Sequence, residues 1–123
     1  MNAPRNDRAA RVGEEVRREL MGLVMRGRLK DPATKDVIVS AVTVTNDLQI
    51  ATVYVRLLQE ASDRRKERLV AGLERAAGFL RRELGKTLEL RRTPELRFQW
   101  DDSIDHGSRI EELLDEIRQE DEA

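Results

Sequence analysis

Five cationic side chains recur at steps of four and seven residues between positions 64 and 86. They are Arg64, Arg68, Arg75, Arg82 and Lys86. Because an α-helix turns once in about 3.6 residues, a helix over this segment places all five on one face. Permanent positive charges along a solvated face attract phosphate groups. The spacing therefore predicts a stripe that binds a polyanion, and nucleic acid is the polyanion that suits it.

Small residues at Ala76, Ala77 and Gly78 lie in the middle of the same segment. Glycine costs a helix about 1 kcal/mol relative to alanine, so we expect a kink that divides the segment into two helices. An exposed bend of small residues would let a phosphodiester backbone approach, and the free N–H groups of the second helix would favour an anion. Further cations that could contact the same ligand are Arg81, Arg91, Arg92, Arg8 and Arg11.

The acidic loop over residues 101–107 has two spacings that resemble catalytic or metal sites. Four residues match the ligand positions of a calcium-binding loop: Asp101, Ser103, Asp105 and Glu112. The glycine of that loop comes one place late, however, and a predicted strand precedes it. Ser103 and His106 would need a strained turn and an oxyanion hole to act as a hydrolase. We therefore interpret the loop as the start of a helix and expect no catalytic or metal-binding residues.

The composition limits the classes of protein to consider. At 123 residues the chain fits one domain, and 3% aromatic residues leave few rings for stacking on bases. It has no cysteine and one histidine, which argues against disulfides, thiol chemistry and a structural zinc site. It contains no glycine-rich nucleotide loop, signal peptide or apolar run of about 20 residues. We therefore expect a cytoplasmic monomer without a cofactor, a small-molecule substrate or a membrane.

Opposite charges concentrate in different parts of the chain, although the formal net charge is −1. Residues 1–30 hold eight Lys/Arg and four Asp/Glu, and residues 61–92 hold ten and five, so these parts carry +4 and +5. Residues 101–123 hold two and ten, which gives −8. This separation predicts a polyanion-binding face and an acidic tail that either solubilises the chain or shields that face.

Helical periodicity predicts the regions that would carry these cations. The first helix starts at Ala9 and fades near Gly27, after a flexible basic arm over residues 1–8. The second region, which contains the kink, follows a cap at Ser62 or Asp63. Its core-facing positions are Leu69, Leu73, Ala76, Leu80 and Leu84. Residues 108–123 are expected to form a short acidic C-terminal helix and tail.

Runs of β-branched and aromatic residues predict three strands. Residues 37–45 and 48–57 are separated by Asn46-Asp47, which predicts an antiparallel hairpin with a tight turn or a longer variant. Residues 96–100 alternate apolar and polar side chains and form the third strand. The order helix, strand, strand, kinked helix pair, strand, helix predicts a single α+β domain. Its three-stranded sheet would have the helices packed on one face.

The element order and several motifs resemble the bacterial ribosome-binding factor A family over about residues 8–112. The motifs lie at residues 8–16, 30–32, 42–55, 76–86, 90–98 and 101–107. The resemblance implies a single type II KH-like domain over residues 9–107 that binds RNA. In that domain an Ala-x-Gly kink, here Ala76-Ala77-Gly78, replaces the usual Gly-x-x-Gly loop, and the helix pair faces the RNA.

For function, the resemblance implies a ribosome assembly factor that catalyses no reaction. Members of the family bind the free 30S small ribosomal subunit and its 16S rRNA. They assist late maturation and 5′-end processing of 16S rRNA, and they support growth in the cold. Assembly GTPases or completed maturation would release the protein. Because Ala77 offers no side-chain hydrogen bond, specificity would come from the flanking arginines or from subunit proteins.

A protein-protein interaction adaptor without direct RNA binding is the alternative that the residues leave open. The first helix or the acidic C-terminal helix would then bind a partner protein, and the cationic stripe would have no ligand. The apolar contacts of the C-terminal helix would be Ile110, Leu113, Leu114 and Ile117. Deletion of residues 103–123 separates the hypotheses, because RNA binding would survive it and adaptor binding would be lost.

Overall fold

A computed structural model describes residues 7–103 and 113–119 of the chain. Its elements in chain order are α1 (Asp7–Met25), a 3-10 turn (Pro32–Thr34), β1 (Val37–Val44), β2 (Ile50–Leu57), α2 (Asp63–Thr87) and β3 (Glu95–Trp100). Residues 113–119 are also helical. The predicted α+β class with a three-stranded sheet is confirmed.

The sheet has the strand order β1-β2-β3. β1 and β2 pair antiparallel, as predicted, with Val53 opposite Val42, and an irregularity lies between Val39 and Ala41. β2 and β3 pair parallel, with Val53 beside Phe98. A parallel pair cannot be joined by a tight turn, so the chain must return along the sheet between the two strands. Helix α2 makes that return.

The hairpin turn is the longer variant of the two that the sequence allows. The Thr45 N–H donates to the Ile50 carbonyl at 2.9 Å, and the positive φ, 61°, falls on Leu48 rather than on Asn46 or Asp47. The Asp47 carboxylate accepts from the Thr45 hydroxyl at 2.7 Å and from the Gln49 N–H at 3.1 Å. These two hydrogen bonds, the Thr45 one above all, lower the pKa of Asp47. The turn is therefore held by its own polar groups.

One face of the sheet is buried by the helices. Along β2 the buried positions alternate with half-buried ones, so that Ala51, Val53 and Val55 face the core. Apolar residues of α1, α2 and all three strands form one cluster with them. Helix α1 lies so close to β1 that a Cβ on Gly13 would be 2.7 Å from the Val42 carbonyl oxygen. The core thus fixes the positions of both helices on a single face, as the sequence predicts.

Helix α2 differs from the prediction at Ala76–Gly78. We expected a kink that divides this segment into two helices; the division is wrong, because α2 is one helix of 25 residues from Asp63 to Thr87, and a bend within it stays a prediction. Alanine has the highest helix propensity, and the glycine cost of about 1 kcal/mol is small beside the burial of leucines on either side, each worth about 2 kcal/mol. The predicted core positions Leu69, Leu73, Leu80 and Leu84 are buried, and Ala76 is half-buried.

The ends of the predicted elements shift or fall outside the described residues. Helix α1 begins at Asp7, two residues before the predicted start, so Arg8 belongs to the helix and not to an arm. The rest of the predicted arm, residues 1–6, lies outside the described residues. So do residues 104–112, with His106 and the start of the C-terminal helix, and residues 120–123.

Candidate nucleic-acid interface

The outer face of α2 carries three cations that the fold leaves unpaired. Arg64, Arg68 and Arg82 are exposed, and none of them forms a hydrogen bond or an ion pair with any residue in 7–103 or 113–119. At about 1.5 Å per residue, Arg68 and Arg82 stand about 21 Å apart along the helix. Their charges are therefore directed to solvent, where an anion can bind without displacing an internal partner.

Arg75 lies on the same face but is held by the 3-10 turn. Its Nε and Nη2 atoms donate to Asp31 Oδ2 at 3.0 and 2.8 Å. The other carboxylate oxygen of Asp31 accepts the Ala33 N–H at 2.9 Å. The Ala33 hydrogen bond first, and then the Arg75 contact, lower the pKa of Asp31. Arg75 therefore links α2 to the 3-10 turn. Arg65 makes a second link, because it donates to the Ala33 carbonyl at 2.7 Å.

Arg81 also has a structural contact. Its Nε donates to the Pro94 carbonyl at 3.1 Å, and its Nη2 donates to the Thr93 carbonyl at 2.9 Å. Two carbonyls at the start of β3 thus receive a charged donor, which is the strong form of hydrogen bond. Arg81 positions the segment that leads into β3 while its side chain stays exposed.

Lys86 shares a carboxylate with a residue that the periodicity does not reveal. Lys86 Nζ lies 2.8 Å from Glu83 Oε2, and Arg28 Nη1 lies 3.2 Å from Glu83 Oε1. The Lys86 hydrogen bond is the main reason that the pKa of Glu83 is lowered. The Arg28 guanidinium also lies 5.3 Å from the centroid of the Phe79 ring. The contact between Arg28 and Glu83 crosses 55 positions of the sequence, so no local spacing could indicate it.

The small residues on α2 have unequal surroundings. Ala76 and Ala77 are half-buried, whereas Gly78 is exposed, and a Cβ on Gly78 would meet nothing nearer than Arg82 Nη1 at 3.8 Å. By contrast, a Cβ on Gly72 would lie 3.0 Å from the Ala33 Cβ, and one on Gly85 would lie 3.1 Å from Thr93 Oγ1. Packing among the described residues explains Gly72 and Gly85 but not Gly78. The helix backbone at Gly78 is therefore accessible beside Arg82, with no side chain to cover it.

The remaining predicted cations line two clefts beside the segment that follows the C-terminal end of α2. Arg8, Arg91 and Arg92 line one cleft together with the hairpin turn, and Arg11 lines an adjoining cleft that shares Arg8. All four are exposed, and none has a hydrogen bond or an ion pair to a residue that the structure describes. Residues more than 80 positions apart are thus brought together. The sequence places them in one predicted surface but does not indicate that they are neighbours.

The described part of the acidic loop has a structural role. Asp101 Oδ2 accepts the Ser40 hydroxyl at 2.6 Å, and Asp101 Oδ1 accepts the Ser103 N–H at 3.0 Å. The Ser40 hydrogen bond is the largest cause of the lowered pKa of Asp101. Within the described ranges no group of three His, Cys, Asp or Glu side chains could hold a metal ion. No described helix is long and apolar enough to cross a membrane.

The sequence matches the family model for ribosome-binding factor A over residues 8–114. The chain belongs to the ribosome-binding factor A family. The match covers nearly all of the described domain, including every residue that lines the two clefts. The expected family is thus confirmed by a comparison that uses the whole domain and not the cationic residues alone.

Solved structures of this family have the same fold. The crystal structure of ribosome-binding factor A from Thermus thermophilus is 27% identical over 75% of this chain and 93% of that chain, with a TM-score of 0.65. The solution structure of a Thermotoga maritima protein assigned to ribosome-binding factor A is 31% identical over 80% of this chain and 90% of that chain, with a TM-score of 0.65. A homology model of the Thermus thermophilus protein, fitted into a cryo-EM map of a 30S complex, is 26% identical over 76% of this chain and 96% of that chain, with a TM-score of 0.60.

Proposed function

We propose that this protein binds the free 30S small ribosomal subunit through its 16S rRNA and assists late maturation, including 5′-end processing. The observation that carries the proposal is the row of unpaired cations Arg64, Arg68 and Arg82 on one exposed face of α2. Membership of the ribosome-binding factor A family supports it, as does the 30S complex of the Thermus thermophilus relative. In this proposal the protein acts in the cytoplasm, catalyses no reaction and supports growth in the cold.

The proposed RNA contact divides the predicted site residues by their roles. Arg64, Arg68 and Arg82 bind phosphates directly, because their charges have no partner in the described protein. Arg75 and Arg81 act as positioning residues, because each already donates hydrogen bonds to another part of the fold. Breaking such a contact to bind a phosphate would cost most of what the new contact gains.

Gly78 has a distinct role in the proposed interface. An exposed glycine inside a helix lowers stability by about 1 kcal/mol relative to alanine, and packing does not require it at this position. A missing side chain lets an RNA backbone approach the helix beside Arg82. Ala77 and Ala76 contribute by being small. Specificity for the subunit then depends on the shape of the rRNA and on neighbouring subunit proteins.

The test is co-sedimentation with free small subunits, large subunits and full ribosomes over a series of salt concentrations. We expect salt-dependent binding to free small subunits. A triple variant, R64Q/R68Q/R82Q, should lower the slope of log K against log salt by about 2 to 3, since each phosphate contact contributes about 0.7 to 0.9. The control R26Q/R97Q/R118Q makes the same change in charge away from this face. Absence of small-subunit binding by the wild type would exclude the proposal.

An adaptor function is a second candidate because one helical segment exposes apolar side chains. Leu113, Leu114 and Ile117 are 41%, 45% and 53% exposed. Such a row is typical of a helix that binds a groove in a partner protein. The variant L114E/I117E should leave the salt slope of subunit binding unchanged if RNA is the ligand. If this variant abolishes the binding and the triple arginine variant does not, the adaptor function is supported instead.

A further inference from the structure

A cleft at the end of the sheet collects three arginines from separate parts of the chain. It has a volume of about 470 Å³ and is lined by Arg8 from α1, by Asp47, Leu48 and Gln49 from the hairpin turn, and by Leu90, Arg91 and Arg92 from the segment before β3. Seven of the described residues, from three segments, thus form one concave surface. A concavity of this size is typical of a site for a small group rather than for a flat macromolecular face.

The charges in this cleft are not balanced by the fold. Arg8, Arg91 and Arg92 have no hydrogen bond or ion pair to a described residue. Among the described residues that line the cleft, Asp47 is the single carboxylate, and the hairpin turn already engages it through the Thr45 hydroxyl and the Gln49 N–H. These described residues carry three positive charges and one negative charge, an excess of two. An anion bound between the arginines would relieve their mutual repulsion.

The wall formed by the hairpin turn holds an unfavourable backbone conformation. Leu48 has φ 61°, in the left-handed region that costs a residue with a side chain about 1 to 2 kcal/mol. That conformation directs the chain into Gln49, whose backbone N–H and carbonyl are fixed by Asp47 and by the Glu95 N–H at 2.8 Å. Strain kept at a cleft wall is a feature of binding sites. Gln49 is exposed there with an amide that can donate and accept.

We infer that this cleft binds one unpaired RNA nucleotide, as a contact separate from the outer face of α2. The arginines would hold its phosphate, Leu48 and Leu90 would contact its base, and Gln49 would meet a polar edge of the base. A convex duplex cannot enter a concave site, whereas a nucleotide extruded from a loop can. This inference rests on the proposed function, and it adds an unpaired nucleotide of the rRNA as the ligand.

The first test measures binding to free 30S subunits over a salt series with the variant R91Q/R92Q. Losing the contact with one phosphate of a single strand should lower the slope of log K against log salt by about 0.7. The matched control is R26Q/R97Q, which removes two exposed charges outside both surfaces. If the variant has the same slope as the control and the wild type still binds, the cleft does not bind RNA, and the proposed function is unaffected. If the wild type does not bind free 30S subunits, the proposed function itself is excluded.

The second test asks whether the ligand is an unpaired base. Saturated complexes of free 30S subunits with wild-type protein, R91Q/R92Q and R26Q/R97Q are probed with dimethyl sulfate. We expect at least one unpaired base that is protected by the wild type and by the control but is reactive with R91Q/R92Q. The α2 variant R64Q/R68Q/R82Q at saturation should keep that protection. Identical protection in all four complexes would overturn the inference.

Discussion

The two faces of α2 use the same helix for opposite purposes. The inner face buries Leu69, Leu73, Leu80 and Leu84 almost completely against the sheet. The outer face carries Arg64, Arg68 and Arg82 without partners among the described residues. One face is therefore determined by the fold, and the other is free for a ligand. Side chains that the fold does not use are where binding to another molecule can be sought.

Arg75 and Arg81 show why a charge pattern does not identify an interface. Arg75 belongs to the same predicted stripe as Arg68 and Arg82, and Arg81 is a further exposed cation of α2. Each of the two nevertheless donates hydrogen bonds to another part of the fold. The role of each arginine depends on its hydrogen-bond partner. The partner of Arg75 comes from the start of the 3-10 turn, and the partners of Arg81 come from the segment before β3.

The largest difference between the faces should appear when one side chain is removed from each. We expect L80A to lower the free energy of unfolding by about 3 kcal/mol, because it leaves a cavity among buried leucines. R82A should change it by less than about 0.5 kcal/mol, because the side chain is exposed and unpaired. Urea denaturation measures both. A loss above about 1 kcal/mol in R82A would mean that Arg82 has a structural partner.

Two glycine substitutions should shift stability in opposite directions by smaller amounts. G13A places a Cβ 2.7 Å from the Val42 carbonyl oxygen, so overpacking of about 2 kcal/mol outweighs the gain of about 1 kcal/mol in helix propensity. G78A has open space and should raise stability by about 1 kcal/mol. Thermal unfolding compares them. If G78A is more stable and binds free 30S subunits as tightly as the wild type, Gly78 is not at the RNA contact.

The smallest effect concerns the contact between Arg75 and Asp31, and it depends on pH. The pKa of Asp31 is lowered in the folded protein from its ordinary value of 3.8, so its contribution to stability is present above pH 3.8 and is lost as the pH falls through the folded-state pKa. R75Q should therefore be less stable than the wild type at neutral pH, and the two should converge in acid. R82Q serves as the control, with no pH-dependent difference. A constant difference for R75Q at all pH values would contradict the role of Asp31.

Local patterns in the sequence were sufficient to predict most of the fold. β-Branched runs predicted β1 and β2, alternation predicted β3, and steps of three and four predicted the leucine face of α2. The hairpin followed from two β-branched runs around Asn46-Asp47. The continuous course of α2 through Gly78 could not be predicted locally, because the packing of leucines on both sides outweighs the low propensity of one glycine.

The candidate site was predicted less completely than the fold. The sequence identified the cations, but their partners depend on tertiary contacts. Asp31 lies 44 positions from Arg75, and Arg8 lies more than 80 positions from Arg91. Counting charges in the sequence does not distinguish an arginine that is hydrogen-bonded within the fold from one that is unpaired. The arrangement of the cleft required the sheet to bring the hairpin turn, α1 and the segment before β3 together.

Helix α2 is longer than the strand whose length it retraces. Its 25 residues rise about 37 Å, whereas the eight residues of β2 extend about 26 Å. Residues 88–94 connect the end of α2 to Glu95, which pairs with Ile50 at the start of β2. They carry Leu90, Arg91 and Arg92 with them, and at their end the Glu95 N–H donates to the Gln49 carbonyl at 2.8 Å. The parallel pairing of β2 and β3 thus obliges this connection to end beside the hairpin turn, and any change that shifted the register of β3 would move these two arginines relative to that turn.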